Sequence, residues 1–213
     1  MTPKLVIFDC DGVLVDTEGP VNALLAADLS AHGLAMSEEQ CNSAFAGGTM
    51  LDVFEVARKK GAILSDDWVD QFYEKMFALL AKGVPVVPGV LDVIDRLEAR
   101  DCTIWVASNG PMRKMRLSLG PSGLWARFQG RILSREHFAP KPAPDMLLHA
   151  IQQSGATKDE AVMIDDTANG CLAARNAGIR CLGFAAQGNH ADLTAVGAHP
   201  VRDMREVAIQ LGL

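Results

Sequence analysis

The feature that most constrains this fold is a series of five short apolar runs, each followed by a segment with helical periodicity. The runs cover residues 5–8, 103–107, 131–133, 161–164 and 180–184. Short buried strands that alternate with helices form a parallel sheet with helices on both faces. We therefore predict an α/β fold with a Rossmann-like parallel sheet, whose expected strand order is 3-2-1-4-5.

One segment interrupts this alternation. Residues 18–84 have helical periodicity and no convincing strand, and Pro85 and Pro88 mark the return to the alternating pattern. We predict a Rossmann-like core formed by residues 1–16 and 86–213, and an α-helical cap, residues 17–85, inserted after the first strand. Alternatively, these helices pack as an extra layer of a single domain, because periodicity alone does not distinguish the two arrangements.

Composition excludes several classes of protein. The formal net charge of −6 argues against a nucleic-acid-binding surface, and no stretch approaches the roughly 20 apolar residues of a membrane span. The five cysteines lack the CxxC spacing of a metal or redox site, so we expect buried thiols in a reducing compartment. We expect a cytoplasmic protein that is a monomer or a small homo-oligomer.

Acidic residues directly follow two of the predicted strands. Asp9 and Asp11 follow the first strand, and Asp165 and Asp166 follow the fourth. Because the carboxyl ends of parallel strands lie at one edge of a sheet, these carboxylates converge and would repel one another without a cation. Oxygen ligands without a nearby histidine suit a hard cation, so the pattern predicts a Mg²⁺ site.

A hydroxyl and a lysine follow two other strands at the same edge. Ser108 and Asn109 end the second strand, and Lys141 follows the third. A lysine and a hydroxyl that face a cation suit a phosphate dianion, and a helix that opens at Gly110-Pro111 would add backbone N–H groups. Asn109 could cap this helix or bind the phosphate itself.

Phosphoryl transfer needs a cation, a lysine, positioned donors and an in-line nucleophile, and each has a candidate here. A strand-end aspartate can attack phosphorus, and a carboxyl two residues later can protonate the leaving alcohol and then deprotonate water. Simpler roles exist for single residues: Asp166 or Thr167 could cap a following helix, and Lys141 could be a solvated surface residue. The presence of all the motifs in order favours the catalytic interpretation.

Four segments of the chain, DCDGVLVD, ASNG, KPAPD and MIDDT, resemble in this order the motifs of the haloacid dehalogenase superfamily of phosphotransferases. Together they span most of the chain, and the predicted helical insert resembles the cap of the β-phosphoglucomutase-like subgroup. The resemblance implies that Asp9 is the nucleophile and Asp11 the general acid and base.

The resemblance also implies which residues bind Mg²⁺ and which bind the phosphoryl group. Mg²⁺ would be held by the Asp9 carboxylate, the Asp11 backbone carbonyl and Asp166, with Asp165 bound directly or through water. Ser108 and Lys141 would bind the transferred phosphoryl group.

Three functions compete. The first is a Mg²⁺-dependent phosphatase that hydrolyses a small phosphorylated metabolite through an aspartyl-phosphate intermediate. The second is a β-phosphoglucomutase-like phosphomutase, which has a basic residue in the cap where the segment AGGTMLD has Thr49 and Met50, so hydrolysis is favoured. The third is a non-catalytic phosphoacceptor module, whose acceptor aspartate would follow the third strand, where RILSREHF has none.

The segments SNGPMRKM and IDDT are similar to those of bacterial 6-phosphogluconate phosphatases in this superfamily. This similarity implies a sugar phosphate or a sugar acid phosphate as substrate. Candidate substrate-binding residues are Gly48 and Thr49 in the cap, and Arg113 and Lys114 beside the predicted phosphate site.

Overall fold

The computed structural model describes residues 3–45, 50–186 and 188–213. Its strands are β1 (Leu5–Phe8), β2 (Thr103–Ser108), β3 (Ile132–Ser134), β4 (Ala161–Asp165), β5 (Arg180–Phe184) and β6 (His199–Val201). Its helices are α1 (Glu18–Ala31), α2 (Glu38–Phe45), α3 (Met50–Lys59), α4 (Trp68–Leu80), α5 (Val90–Glu98), α6 (Met112–Leu119), α7 (Leu124–Arg127), α8 (Asp145–Ser154), α9 (Ala168–Ala177), α10 (His190–Ala195) and α11 (Met204–Leu211).

All six strands are parallel and form one sheet in the order β3-β2-β1-β4-β5-β6. This arrangement confirms the predicted fold class and the predicted order of the first five strands. The sixth strand was not predicted because it has three residues, His-Pro-Val, and only its valine is buried. A strand this short carries no periodicity from which it could be recognised.

The register of the central strands brings the predicted site residues to one edge. Phe8, the last residue of β1, pairs with Val106 in β2 and with Ile164 in β4. The Asp9 N–H then donates to the Ile164 carbonyl oxygen at 2.9 Å, which extends the ladder by one bond. The chain therefore leaves β1 beside the carboxyl ends of β2 and β4, as the ligand edge of a parallel sheet requires.

Apolar side chains on both faces of the central strands hold this edge in place. All four residues of β1 and all five of β4 are buried. On one face, α8 and α9 contact the sheet, and α9 buries the small residues Ala173, Ala174 and Ala177. Small side chains allow the helix backbone to lie close to β4 and β5, so the positions of the strand ends are tightly fixed.

In the sequence a glycine follows each of three predicted helices, at Gly120, Gly155 and Gly178, where a left-handed residue is expected. Gly155 and Gly178 adopt left-handed conformations after α8 and α9. The expectation of a left-handed glycine after α6 was wrong, because Gly120 has a φ of −60°. Glycine is needed there for space, since a Cβ would lie 2.7 Å from the carbonyl oxygen of Arg116.

The chain divides into two compact units, Met1–Asp16 with Pro85–Leu213, and Thr17–Val84. Within the second unit, the buried Asp28 in α1 accepts a hydrogen bond from Trp68 Nε1 at 2.7 Å and forms an ion pair with Lys75. The Trp68 ring stacks on Phe72 in α4, with ring centroids 5.4 Å apart.

Among the described residues, no helix is long and apolar enough to span a membrane.

The substitution Asp28→Ala should lower the free energy of unfolding by about 1–3 kcal/mol, because it leaves the buried Trp68 N–H without an acceptor. Lys75 is partly exposed and can turn to water, so its loss should add little. The measurement is urea denaturation followed by circular dichroism. Glu55→Ala, on the exposed side of α3, is the control and should change stability by less than about 0.5 kcal/mol. Equal losses in the two variants would contradict the role given to Asp28.

Candidate active site

A buried lysine joins the ends of β1 and β4. Lys141 Nζ lies 2.5 Å from Asp9 Oδ1 and 2.7 Å from Asp165 Oδ2, and its side chain is 4% exposed. Lys141 follows β3, so the fold brings it next to Asp9, which lies 132 positions earlier in the chain. The prediction that Lys141 and both acids converge at one edge agrees with this geometry, and the alternative of a solvated surface lysine is wrong.

The loop that carries Lys141 is held by the residue after β2. Asn109 donates from Nδ2 to the Lys141 carbonyl oxygen at 3.0 Å, and its Oδ1 accepts from the Lys141 N–H at 2.8 Å. Asn176 in α9 adds a third bond, from its Nδ2 to the carbonyl oxygen of Pro142 at 2.9 Å. Asn109 thus positions the lysine, and the suggestion that it caps α6 is wrong, because its amide pairs with this loop.

Asp165 is fully buried and has a complete set of donors. Besides Lys141, its Oδ1 accepts from the Thr167 N–H at 2.9 Å and from Thr167 Oγ1 at 2.7 Å. Thr167 also caps α9, because its Oγ1 accepts from the Gly170 N–H at 3.0 Å. A Cβ on Gly170 would lie 1.8 Å from Asp165 Oδ2, so only glycine leaves room for this carboxylate.

The carboxylates of Asp9, Asp165 and Asp166 form a set of oxygen ligands for a cation. One oxygen from each lies within 4.8 Å of the others. Gly12, with a φ of +77°, supplies space here too, because a Cβ at this position would lie 2.1 Å from Asp166 Oδ2. Oxygen donors crowded in this way fit a hard divalent cation such as Mg²⁺.

The electrostatics of Asp9 reflect this crowding. Burial raises the pKa of Asp9 to about 7, the Lys141 ammonium opposes that rise, and the carboxylates of Asp165 and Asp11 add to it. Burial by itself would lower the pKa of Lys141, but Asp165 and Asp9 together raise it well above its usual value, so Lys141 is an ammonium. A bound cation would add positive charge beside Asp9 and favour its ionised form.

Ser108 and the start of α6 lie beside this set. Ser108 is 2% exposed, and its Oγ accepts from the Gly110 N–H at 2.9 Å. The first N–H of α6, from Met112, donates to Glu136 Oε2 at 2.9 Å, so a side chain occupies this donor that was expected for phosphate. Ser134, at the end of β3, binds the Gly110 carbonyl oxygen at 2.8 Å and fixes the turn.

The remaining predicted residues fall into three groups. Lys114 in α6 lies within the site, with its Nζ 2.8 Å from Asp11 Oδ2. Arg113, its neighbour, is exposed. Gly48 and Thr49 lie outside the described residues.

Three supporting residues were not found from the sequence. Ser134 and Glu136 shape the turn before α6, and Asn189 donates from Nδ2 to the Asp166 carbonyl oxygen at 2.9 Å. Each acts on a segment more than 20 positions away, so no local spacing could reveal it. Gly170 could have been found, because a glycine in the first turn of a helix with a Thr cap is unfavourable unless space is required.

Comparison with known proteins agrees with this architecture. The family described as haloacid dehalogenase-like hydrolase matches residues 6–184. The 6-phosphogluconate phosphatase of Escherichia coli (strain K12) is 25% identical over 186 residues, which are 86% of this chain and 83% of that protein. Phosphoglycolate phosphatase 1 of Pseudomonas aeruginosa is 27% identical over 196 residues, 88% of this chain and 71% of that protein.

A solved structure shows the same fold over nearly the whole chain. The hydrolase of Deinococcus radiodurans R1, crystallised with bound phosphate and sodium, superposes with a TM-score of 0.85 at 25% identity, and covers 99% of this chain and 97% of its own. The match of the family to most of the chain agrees with the four strand-end motifs and with the strand order. This chain belongs to the haloacid dehalogenase-like hydrolases.

Proposed function

We propose that this protein is a Mg²⁺-dependent phosphatase that hydrolyses a small phosphorylated metabolite through an aspartyl-phosphate intermediate. The observation that carries the proposal is the placement of Lys141 between Asp9 and Asp165. This contact fixes the carboxylate of Asp9 at the sheet edge and places a permanent positive charge beside it. A nucleophile held in this way needs little reorganisation when a phosphate dianion approaches.

In the first half of the reaction, a carboxylate oxygen of Asp9 attacks phosphorus. The bond between phosphorus and the ester oxygen breaks, and Asp11 gives its proton to the leaving oxygen. The Lys141 ammonium and the Ser108 hydroxyl stabilise the charge on the transferred phosphoryl oxygens. Asp165 and Asn109 keep Lys141 in position while this charge moves.

In the second half, Asp11 removes a proton from water, and the water oxygen attacks the same phosphorus. The bond between Asp9 and phosphorus breaks, which releases inorganic phosphate and restores the Asp9 carboxylate. Mg²⁺, held by Asp9, the Asp11 carbonyl and Asp166, would supply positive charge to the phosphoryl oxygens. Asp165 already accepts from Lys141 and Thr167, so its main role is to orient the lysine.

The relatives support the proposed substrate class. Relatives named as phosphatases of 6-phosphogluconate and phosphoglycolate support a small sugar phosphate or sugar acid phosphate, with 6-phosphogluconate as one candidate. We propose that residues 17–85 form a cap that selects the substrate and excludes water. Met50, which begins α3, carries no charge for a second phosphate, so hydrolysis is favoured over a mutase reaction.

The five cysteines are free and buried, which supports a reducing, cytoplasmic location. The expected partners are small phosphorylated metabolites, and we expect no nucleic acid or membrane partner. A monomer or a small homo-oligomer remains our prediction.

Asp9→Asn should lower kcat by on the order of 10³-fold or more, because an amide is a poor nucleophile toward phosphorus. The measurement is release of phosphate from a panel that includes 6-phosphogluconate, hexose phosphates and pentose phosphates, each with Mg²⁺ and with EDTA. The exposed Asp159→Asn is the control and should keep full activity. Substantial Mg²⁺-dependent turnover by Asp9→Asn would exclude an aspartyl-phosphate on this residue.

Asp166→Ala should raise the Mg²⁺ concentration needed for half-maximal activity by at least about tenfold, because one carboxylate is lost from the metal site. Calorimetric titration with Mg²⁺ should show the same loss of affinity without any substrate. Asp192→Ala, an exposed acid in α10, controls for the general loss of negative charge. An unchanged Mg²⁺ affinity would remove Asp166 from the metal site.

Asn109→Ala should lower kcat by roughly 10- to 100-fold, because the loop that carries Lys141 loses two hydrogen bonds. Asn176→Ala is the matched comparison, since it removes one exposed bond from the same loop and should have the smaller effect. Steady-state kinetics on the best substrate of the panel checks both variants. If Asn109→Ala raises only KM, Asn109 binds substrate directly instead of positioning the lysine.

A further inference from the structure

Lys114 is a second lysine in the site, and the mechanism above gives it no task. It is the third residue of α6, and its Nζ contacts Asp11 Oδ2 at 2.8 Å. Its side chain is 21% exposed, so it is largely covered by protein but still reached by solvent. It therefore contacts the residue that, in the proposed mechanism, exchanges protons with the leaving group.

Lys114 is positively charged and has N–H groups that can donate to a ligand. A lysine side chain is an ammonium at neutral pH, and Lys114 has a carboxyl group, that of Asp11, at 2.8 Å. An ammonium has three N–H donors. Within the described part of the chain, Asp11 is the one hydrogen-bond acceptor that Lys114 contacts, which leaves N–H groups for a ligand.

The stem of Lys114 also passes beside the expected phosphoryl position. A Cβ built on Gly110 would lie 3.2 Å from Ser108 Oγ, 3.7 Å from Lys114 Cδ and 3.8 Å from Asp11 Oδ2. These three groups thus surround one small volume at the start of α6. In the proposed mechanism Ser108 binds the transferred phosphoryl group and Asp11 gives its proton to the ester oxygen, so Lys114 borders the space in which both would meet a substrate.

We infer that Lys114 is a specificity-determining residue, which binds an oxygen on the carbon next to the ester carbon and prefers a carboxylate there. The inference rests on the proposed phosphatase function and narrows its substrate class to monoesters with an anionic group close to the phosphate. Such a group lies within reach of Lys114 when Asp11 is within about 2.6–3.2 Å of the ester oxygen. An anion at the far end of a longer chain would instead be bound by other residues.

The site already contains one ammonium that serves two carboxylates. Lys141 contacts Asp9 and Asp165 at 2.5 and 2.7 Å, so two acids around one lysine form a stable arrangement here. Lys114 has only Asp11 among the described residues. A substrate carboxylate would complete the same arrangement around Lys114 and gain a charge-assisted hydrogen bond.

Three two-carbon esters test this inference: 2-phosphoglycolate, 2-hydroxyethyl phosphate and ethyl phosphate. They differ only in the group attached to the ester carbon, which is a carboxylate, a hydroxymethyl or a methyl. For the native protein with Mg²⁺, kcat/KM should fall in that order, with about tenfold or more between the first and the last. Lys114→Met should bring this ratio close to one, and Lys114→Arg should retain most of it.

The matched control is Arg116→Met, which removes a positive charge from an exposed position on the same helix and should keep the native ratio. Thermal melting shows whether each variant folds, and Lys114→Gln replaces Lys114→Met if the latter does not. The ratio of two esters is the readout because a purely structural effect on Asp11 would slow all three esters equally. If the ratio persists without the lysine, or if the native protein shows none, the inference is wrong.

p-Nitrophenyl phosphate separates this outcome from a failure of the proposed function. Mg²⁺-dependent hydrolysis of p-nitrophenyl phosphate, without preference among the three esters, would overturn the inference and leave the phosphatase proposal intact. If folded native protein with Mg²⁺ hydrolyses none of these compounds but releases phosphate from 6-phosphogluconate, a hexose phosphate or a pentose phosphate, the inference is wrong and the phosphatase proposal stands. If it releases phosphate from none of them, both proposals are wrong.

Discussion

The contact of one buried ammonium with two carboxylates determines how the rest of this site is built. Lys141 and Asp165 are almost completely covered, and an uncompensated charge at such a depth would be strongly destabilising. Each therefore requires the other, and Asp9 is fixed as the third member of the group. Lys141 follows β3, Asp165 ends β4 and Asp9 follows β1, so the contact depends on the order in which the sheet brings these strands together.

This requirement explains the local structure around the group. Asn109 pairs with both backbone groups of Lys141, and Thr167 supplies two donors to Asp165. Glycines occur where a side chain would collide with a carboxylate, at Gly12 and Gly170. The residues around the site therefore hold buried charged groups in fixed positions, as strong electrostatic stabilisation of a transition state requires.

Much of this arrangement follows from the sequence because it depends on strand ends. An apolar run followed by Asp9 or Asp165 predicts both a strand and the edge of the sheet at which the acid lies. The side chains that bind backbone groups near the site could not be predicted in the same way. Glu136 accepts from the first N–H of α6, and Asn189 donates to the carbonyl oxygen of Asp166. Both contacts depend on the geometry of loops. The prediction of a left-handed conformation at Gly120 was wrong for a related reason. Glycine is required there because the backbone passes close to the Arg116 carbonyl oxygen, which the sequence does not reveal.

The two lysines of the site differ in a way that suits them to different tasks. Lys141 is buried and contacts two acids, so its position is fixed before any substrate binds. Lys114 is partly exposed and contacts one acid, so a ligand can change its surroundings at small cost. A fixed charge stabilises a transition state, whereas an adaptable charge discriminates between ligands. This difference supports the roles that we propose for Lys141 in the chemistry and for Lys114 in substrate selection.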